Sequence, residues 1–409
     1  MKDHQEQRHL YLTLFTGVFL LSVCNGSQTT LFGIRATMEG FSTLVTGLLM
    51  SSFFAGFLIG AIRGPIIIQR VGHVRTFGAL TALASAALLL PPLFVDPWFW
   101  MLLRFVFGFC VSGIYVVNES WLNEKSTNQN RGQLLATYMM TIFIGVGSGQ
   151  FLLQFTDPGS FVIFSVLSVL VSISAIPLLA TADNAPEYRK PDKVPIRSLY
   201  ETSQVGVIGA ICAHGSMAMI FGMGPVFAAS IALTPAQVSW FMAAFIFGGF
   251  VSQWPIGKLS DLMDRRWILF SCSLLASLLV IIVLPMVRDS LLMLLFTIFL
   301  IGAMILPLYS ICVAYTHDSL KPEQRISATG TLILVAGIGS TSGPFTLSLI
   351  MNQWPRDGFY YGLFSLLLFF ALFCLVRLIV RQRTRQYTKE HQLVAPTSTG
   401  QLVEDQEKK

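Results

Sequence analysis

The amino-acid sequence predicts an all-α polytopic membrane protein, with twelve transmembrane helices in two pseudo-symmetric six-helix bundles. Three observations predict this class. The 409 residues are 54% hydrophobic and only 12% charged, with 33 Phe and a mean hydropathy of +0.66, whereas a soluble domain has about a quarter of its residues charged. Twelve apolar segments follow one another along the chain, most of them long enough to cross a bilayer as helices. Short motifs also recur in the second half at the offsets they have in the first.

The segments run roughly over 10–32, 42–66, 75–95, 98–120, 132–156, 160–180, 204–230, 236–257, 266–286, 290–315, 326–351 and 357–380. The longest polar interior stretch, 181–204, carries Pro186, Pro191 and Pro195 and a cluster of positive charge. It divides the chain into a bundle over 1–180, a cytoplasmic linker over 181–203 and a bundle over 204–380. The basic, then polar tail over 381–409 has the composition of a disordered segment. The polar start leads into a run too long for a cleavable signal peptide.

Lysine and arginine set the orientation. The N-terminus and the loops after even-numbered segments carry Lys2, Arg8, Arg70, Arg75, Lys125, Arg131, Arg189, Lys190, Lys193, Arg197, Lys258, Arg265, Arg266, Lys321 and Arg325, and the tail adds Arg381, Arg383 and Arg385. The opposite loops carry only Arg35, Arg288 and Arg356. Both termini and the central linker are therefore expected in the cytoplasm. The net charge of +6 sits in these loops and is no nucleic-acid signal. The six cysteines lie in apolar segments without metal-ligand spacing and read as small core residues. No nucleophile–base pair, metal cluster or phosphate loop supports an enzyme, and neither cofactor nor metal is expected.

Segment 4 organises the chain. Arg104, Gly108, Ser112, Tyr115 and Glu119 are spaced 4, 4, 3 and 4 apart, so on a helix they share one face within an arc of roughly 80°. A charge facing lipid costs several kcal/mol. The stripe is therefore expected to face other helices or a water-filled path.

The halves repeat. Arg131 opens segment 5, with Gly145 and Gly149 following 14 and 18 residues on; Arg325 opens segment 11, with Gly339 and Gly343 at the same offsets. Asn118-Glu119-Ser120 corresponds to His317-Asp318-Ser319, and Met-Leu-Leu recurs at 101–103 and 293–295. Repeated six-span units point to a transporter with its site between the halves.

The loop Gly257-Lys-Leu-Ser-Asp261-Leu-Met-Asp264-Arg265-Arg266 resembles the G-x-x-x-D-x-x-G-R-R loop of the major facilitator superfamily, with Asp264 in place of the second glycine. The paired loop, Pro65 to Gln69-Arg70-Val-Gly72, departs further: Pro65 replaces the glycine and Gln69 the acid. Arg104-x-x-x-Gly108 is similar to the superfamily's fourth-helix motif, and Gly339-Ser-Thr-Ser-Gly343-Pro344 to its Gly-Pro motif. The resemblance covers about residues 10–380. Asn118-Glu119-Ser120, Asn130-Arg131-Gly132 and Gln253-Trp254-Pro255-Ile256-Gly257 resemble the bacterial YcaD-like group. The resemblance implies a multi-pass transporter of the bacterial inner membrane, working by rocker-switch alternating access. Its partners would be the lipid bilayer, a small-molecule substrate and protons or an exchanged solute, and a monomer is expected.

The resemblance also assigns roles. Gln69, Arg70, Glu119, Arg131, Asp261, Arg265, Arg266, Asp318 and Arg325 would form a cytoplasmic gate, with Glu119–Arg131 and Asp318–Arg325 pairs joining it. The alternative is ordinary interfacial charge. An exposed ion pair is worth about 0–1 kcal/mol, which suits a latch released each cycle. Segments 1, 4, 7 and 10 line the cavity in the superfamily, which assigns Asn25, Gln28, Tyr115, Asn118, His214 and Tyr309 to a substrate or coupling site, with Gln150 on segment 5. The alternative for each is interhelical hydrogen bonding.

Arg104 is the clearest deep charge, so a small polar or anionic metabolite is expected; the alternative is a structural arginine satisfied by neighbouring helices. His214 is a candidate proton carrier or a hydrogen-bonded core residue. No Asp or Glu lies clearly deep in a span. That absence counts against efflux of amphiphilic cations, which the many Phe and Met residues otherwise favour. A membrane receptor or scaffold without transport is the alternative of another class. Gly145, Gly149, Gly339, Gly343, Pro225 and Pro344 are expected where helices flex, or where they pack tightly.

Overall fold

We describe a computed structural model of the chain, covering residues 2–126, 131–181, 194–287, 289–355 and 357–394. The described residues form helices and no strand. The first half comprises α1 (Lys2–Met38), α2 (Thr43–Val71), α3 (His73–Leu89), α4 (Pro97–Lys125), α5 (Arg131–Gly149) and α6 (Phe161–Thr181). A short α7 (Ile196–Thr202) leads into the second half: α8 (Gln204–Ser230), α9 (Pro235–Leu262), α10 (Arg265–Leu278), α11 (Leu284–Val287), α12 (Leu291–Ile305), α13 (Leu308–Asp318), α14 (Pro322–Gln353) and α15 (Gly358–Val394). The expected ninth segment is α10 and α11 joined by the π-helical turn Leu279–Val283. The tenth is α12 and α13, broken at Leu306–Pro307.

Eleven spans of described residues are long and apolar enough to cross a membrane. The remaining expected span is α1, which is 37 residues long. The side chains of its residues 2–12 lie outside the described residues, and of its polar residues Ser27, Gln28, Thr29 and Thr30 are buried against the bundle.

Local chemistry sets the helix ends. Ser42 and Asp96 accept from the backbone N–H groups of Val45 and Phe99, and Thr234 forms a reciprocal capping box with Gln237. Gly40 and Gly72, at φ +73° and +90°, make turns that an L side chain would strain. Two expectations change. α15 runs on to Val394, because nothing between 381 and 394 breaks a helix. Part of the expected linker is α7, whose Leu199 is fully buried with Val207, Ala210 and Ala328. Linker residues 182–193 and tail residues 395–409 lie outside the described residues.

The halves are built on one repeated crossing. α2 and α4 each carry Phe-x-x-Gly, at 53–56 and 105–108; α9 and α12 carry it at 245–248 and 299–302. A Cβ on Gly56 would strike the Phe105 carbonyl, and one on Gly108 the Phe53 carbonyl. Gly248 and Phe299, and Gly302 and Phe245, repeat the reciprocal contact in the second half. Close backbone approach of this kind lets dispersion hold helices together where lipid removes the hydrophobic drive.

A second crossing repeats as well. A Cβ on Gly145 would fall 2.9 Å from the Phe19 carbonyl, and Gly149 abuts that of Val23. Gly339 and Gly343 meet Ile211 and Gly215 in the same way. Each partner lies 192 residues on and each glycine 194. These four glycines therefore sit at tight crossings.

The halves join along one seam. Let the upper end carry the connections at 39–42, 90–96, 155–160 and 231–234. Near it, α2 meets α14 through Gly47 against Ser348 and Pro344, and through Ser51, whose Oγ accepts from the Phe345 N–H at 3.0 Å. α1 meets α8 at Gly33 and Pro225, and Phe151 stacks edge-on against Trp240 with centroids 4.8 Å apart. Pro225 and Pro344 thus lie inside α8 and α14 on the seam.

Replacing Gly108 by Val is expected to force α2 and α4 apart and to destabilise the protein by about 3 kcal/mol or more, the upper range for overpacking. Gly330→Val, at a position where a Cβ meets nothing within 4 Å, is the control. Detergent-solution melting of both variants checks the contrast, and equal melting points would refute it.

Candidate functional site

Between the halves the structure brings together four expected residues and two unexpected hydroxyls. On α4, the Tyr115 hydroxyl hydrogen-bonds Ser22 of α1 at 3.3 Å, with Asn25 beside it. On α13, the Tyr309 ring packs edge-on against His214 of α8, centroids 4.3 Å apart, and His214 Nδ1 lies 3.3 Å from Ser340 Oγ of α14. Tyr309 follows Tyr115 by 194 residues, and His214 follows Ser22 by 192. These are the intervals of the glycine crossings, so the two pairs are one position repeated in the two halves.

The repeat stops at charge. In the register of these crossings Glu119 of α4 corresponds to Val313, not to Asp318 as the short match of Asn-Glu-Ser with His-Asp-Ser suggests, Arg104 to Ile298 and Gln28 to Ile220. Glu119 lies within electrostatic reach of the hydroxyls of Tyr115, Tyr138 and Tyr309, on three helices from both halves. It is partly buried. No Asp or Glu is among the buried residues described, in keeping with the sequence reading, and Glu119 is half-buried near the end of α4, facing the dividing plane. The Tyr138 and Tyr309 hydroxyls have no hydrogen-bond partner among the described residues. Burying an unpaired hydroxyl costs about 1–3 kcal/mol.

Arg104 is 1% exposed and lies within the first half, about eleven residues and 16 Å from Tyr115 along α4. Its Nη1 donates to Gln28 Oε1, and its Nη2 donates to Met50 Sδ at 3.3 Å. The guanidinium is 5.0 Å from the Phe32 ring and 4.8 Å from the Phe53 ring. Its Nε has no partner, and no carboxylate pairs with it among the described residues. Desolvated cation–π contacts are worth about 2 kcal/mol each, against a desolvation penalty of several kcal/mol for the charge. Gln28 is oriented by donating to Asn25 Oδ1 at 3.1 Å and to Thr29 Oγ1 at 2.8 Å. Gln150 ties the Gln150–Gln154 turn to α1, donating to the Gly26 carbonyl and accepting from Thr30. Asn118 is buried on α4.

The expected gate residues divide differently from the expectation. Arg265 donates to Asp261 at 2.9 Å, to Asp318 at 2.7 Å and to Ser260 at 3.0 Å. Arg266 pairs with Asp264 at 2.6 Å and donates to the Arg377 carbonyl. These groups line a cavity of about 320 Å³ with Tyr315, and all belong to the second half. Asp318 is bound to Arg265 rather than to Arg325, which is exposed, because α10 brings the Arg265 guanidinium directly under α13. Gln69 and Arg70 are exposed at the end of α2. The Arg131 side chain lies outside the described residues, and with it the expected Glu119–Arg131 pair. All six cysteines are buried and free, and no group of three or more potential metal ligands occurs among the described residues.

Sequence reasoning missed Ser22, Ser340, Tyr138, Met50, Phe32 and Phe53. The 192- and 194-residue intervals could have paired Ser22 with His214. The aromatic box around Arg104 had no signal, because its members come from two other helices.

Two linked helical bundles, a seam between them and polar groups from both halves on the dividing plane define a membrane transport protein. The sequence profile of the Major Facilitator Superfamily matches residues 14–203 and 206–404. The chain belongs to that superfamily. It is 27% identical over 373 residues to the uncharacterized MFS-type transporter YcaD of Escherichia fergusonii, covering 90% of this chain and 95% of that protein. It is 28% identical over 351 residues to the uncharacterized MFS-type transporter YE1530 of Yersinia enterocolitica, covering 85% and 90%. Among solved structures, the nucleoside transporter NupG matches with a TM-score of 0.71 at 15% identity over 90% of this chain and 96% of that one. The inward-facing, unoccupied bacterial homolog of the human lysosomal transporter Spinster matches with a TM-score of 0.72, at 13% identity over 91% and 95%.

The unpaired hydroxyls generate a prediction. Tyr309→Phe and Tyr138→Phe should leave the melting temperature within about 2 °C, since no hydrogen bond is lost. Each should lower transport or ligand affinity at least fivefold. Unchanged transport in both variants would remove these hydroxyls from the site.

Proposed function

We propose that this protein is a secondary-active transporter for a small polar metabolite carrying an anionic group, with both termini in the cytoplasm. The two halves rock about the central site in alternating access, coupled to protons or to exchange of a second solute. It works as a monomer in the bacterial inner membrane. Arg104 carries the substrate class: it is a buried guanidinium without a carboxylate partner among the described residues and with its Nε unpaired there. An arginine keeps its charge in proteins, and its planar fork suits a carboxylate or phosphate. With the basic loops on the cytoplasmic side, the Gly47–Ser348 seam is the closed outer gate. The Arg265–Asp261–Asp318 cluster is then half of the inner gate.

A thermal-shift screen against anionic, neutral and cationic solutes, followed by flux in proteoliposomes, tests this reading. A ligand at 100 times its Kd should stabilise the protein by about 2.7 kcal/mol. Stabilisation should be confined to one family of anions. Arg104→Lys, which keeps the charge but loses the fork, should weaken binding at least tenfold, or about 1.4 kcal/mol. Wild-type kinetics in Arg104→Lys and Arg104→Ala would reject it.

One observation favours a second reading. Glu119 among Tyr115, Tyr138 and Tyr309 is a carboxylate beside aromatic rings, a setting that suits an amphiphilic cation. On this reading lipophilic cations stabilise the protein, and Glu119→Gln abolishes the effect while Arg104→Lys retains it.

A further inference from the structure

We infer that Met50 is a state-dependent cover over Arg104. It shields the guanidinium while the upper seam is closed and uncovers it as an anion site when the halves part there. This inference rests on the anion reading of Arg104 and adds the side from which the anion reaches it. Met50 is fully buried and its Sδ accepts from Arg104 Nη2 at 3.3 Å. The same side chain touches the opposite half. A Cβ on Gly222 of α8 would lie 3.0 Å from Met50 Cβ, and one on Gly33 would lie 3.4 Å from Met50 Cε and 2.9 Å from Pro225 Cβ. Met50 thus faces α8 with its Cβ, at Gly222, and α1 with its methyl group, at Gly33.

The other groups around the guanidinium are anchored within the first half. Phe32 is wedged edge-on between Trp100 and Phe164, centroids 5.6 and 5.8 Å away, and Phe53 packs on Phe107. Gln28 is fixed by Asn25 and Thr29. Of the described contacts of these groups, those of Met50 reach the second half. Moving α8 and α14 away frees a side chain with three rotatable bonds.

The thioether is also a poor partner for a guanidinium, being a weak acceptor. A carboxylate or phosphate oxygen would form a shorter, charge-assisted bond, roughly twice as strong as a neutral one. It could reach the unpaired Nε as well. Met50 thus occupies the place that an anionic oxygen would take from the upper side.

Gly47→Trp supplies the test. A Cβ there collides with the Ser348 side chain and falls 3.0 Å from the Pro344 carbonyl, so an indole wedges the seam open. Ser348→Trp applies the wedge from α14 should the first variant fail to fold. Each wedge is combined with Ser51→Cys, which places a thiol on the seam in a background whose native cysteines are buried. Maleimide labelling of the introduced thiol reports opening, and mass spectrometry reports modification of Arg104 by p-hydroxyphenylglyoxal. The expected result is that both rates rise at least tenfold over the unwedged protein, and that acetate, benzoate or inorganic phosphate slows the Arg104 reaction alone. Faster labelling of the seam thiol with Arg104 unchanged would overturn the cover. A rise at both sites with no slowing by any of the three anions would support the cover and count against the anion reading.

Discussion

The reciprocal glycine crossing is the constraint on which the rest depends. In lipid, helices gain little from burying apolar side chains, so they associate by close packing and by interhelical polar contacts. Phe53-x-x-Gly56 against Phe105-x-x-Gly108 lets two backbones approach until each glycine meets the other helix's carbonyl. The depth and rotation of α4 follow from that contact, and the positions of Arg104, Tyr115 and Glu119 follow from α4. The crossing of α9 and α12 fixes Tyr309 at the equivalent point, and that of α8 and α14 fixes His214.

A symmetric frame carries an asymmetric chemistry. Tyr115 with Ser22 and Tyr309 with His214 occupy matched positions, so both halves face the dividing plane with an aromatic ring and a polar partner. The charges have no counterparts, because Ile298 and Val313 stand where Arg104 and Glu119 would recur. Near the dividing plane the first half adds fixed charge, and the second presents Tyr309, His214 and Ser340. The polar clusters at the opposite end obey the same division. Arg265 is satisfied by Asp261 and Asp318 within its own half.

The fold was legible because membrane solvation constrains the sequence directly. Every span had to be a long apolar helix, and every basic loop had to fall on one side. The first span shows where that legibility thins. Asn25 to Thr30 reduce its hydropathy, yet they are among its most informative residues. The repeat of Gly145 and Gly149 at Gly339 and Gly343 was visible as spacing, but not what those glycines touch. For the site, segment 4's polar stripe pointed correctly inward. It did not separate a residue buried within one bundle, Arg104, from a half-buried one near the dividing plane, Glu119, since both lie on the same helical face.

The sequence by itself determined the class of protein, the number of spans, the two-fold repeat and the helix face that carries the chemistry. All of these follow from periodicity along a single helix and from the cost of charge in lipid. Only the tertiary structure decided which groups meet. Phe32, Phe53 and Met50 close around Arg104, Ser22 and His214 mark one repeated position, and Asp318 goes to Arg265 rather than Arg325. Such contacts join helices far apart in the chain. They are set by how closely glycine-bearing backbones approach and by which end of the molecule is closed, neither of which leaves a period in the sequence.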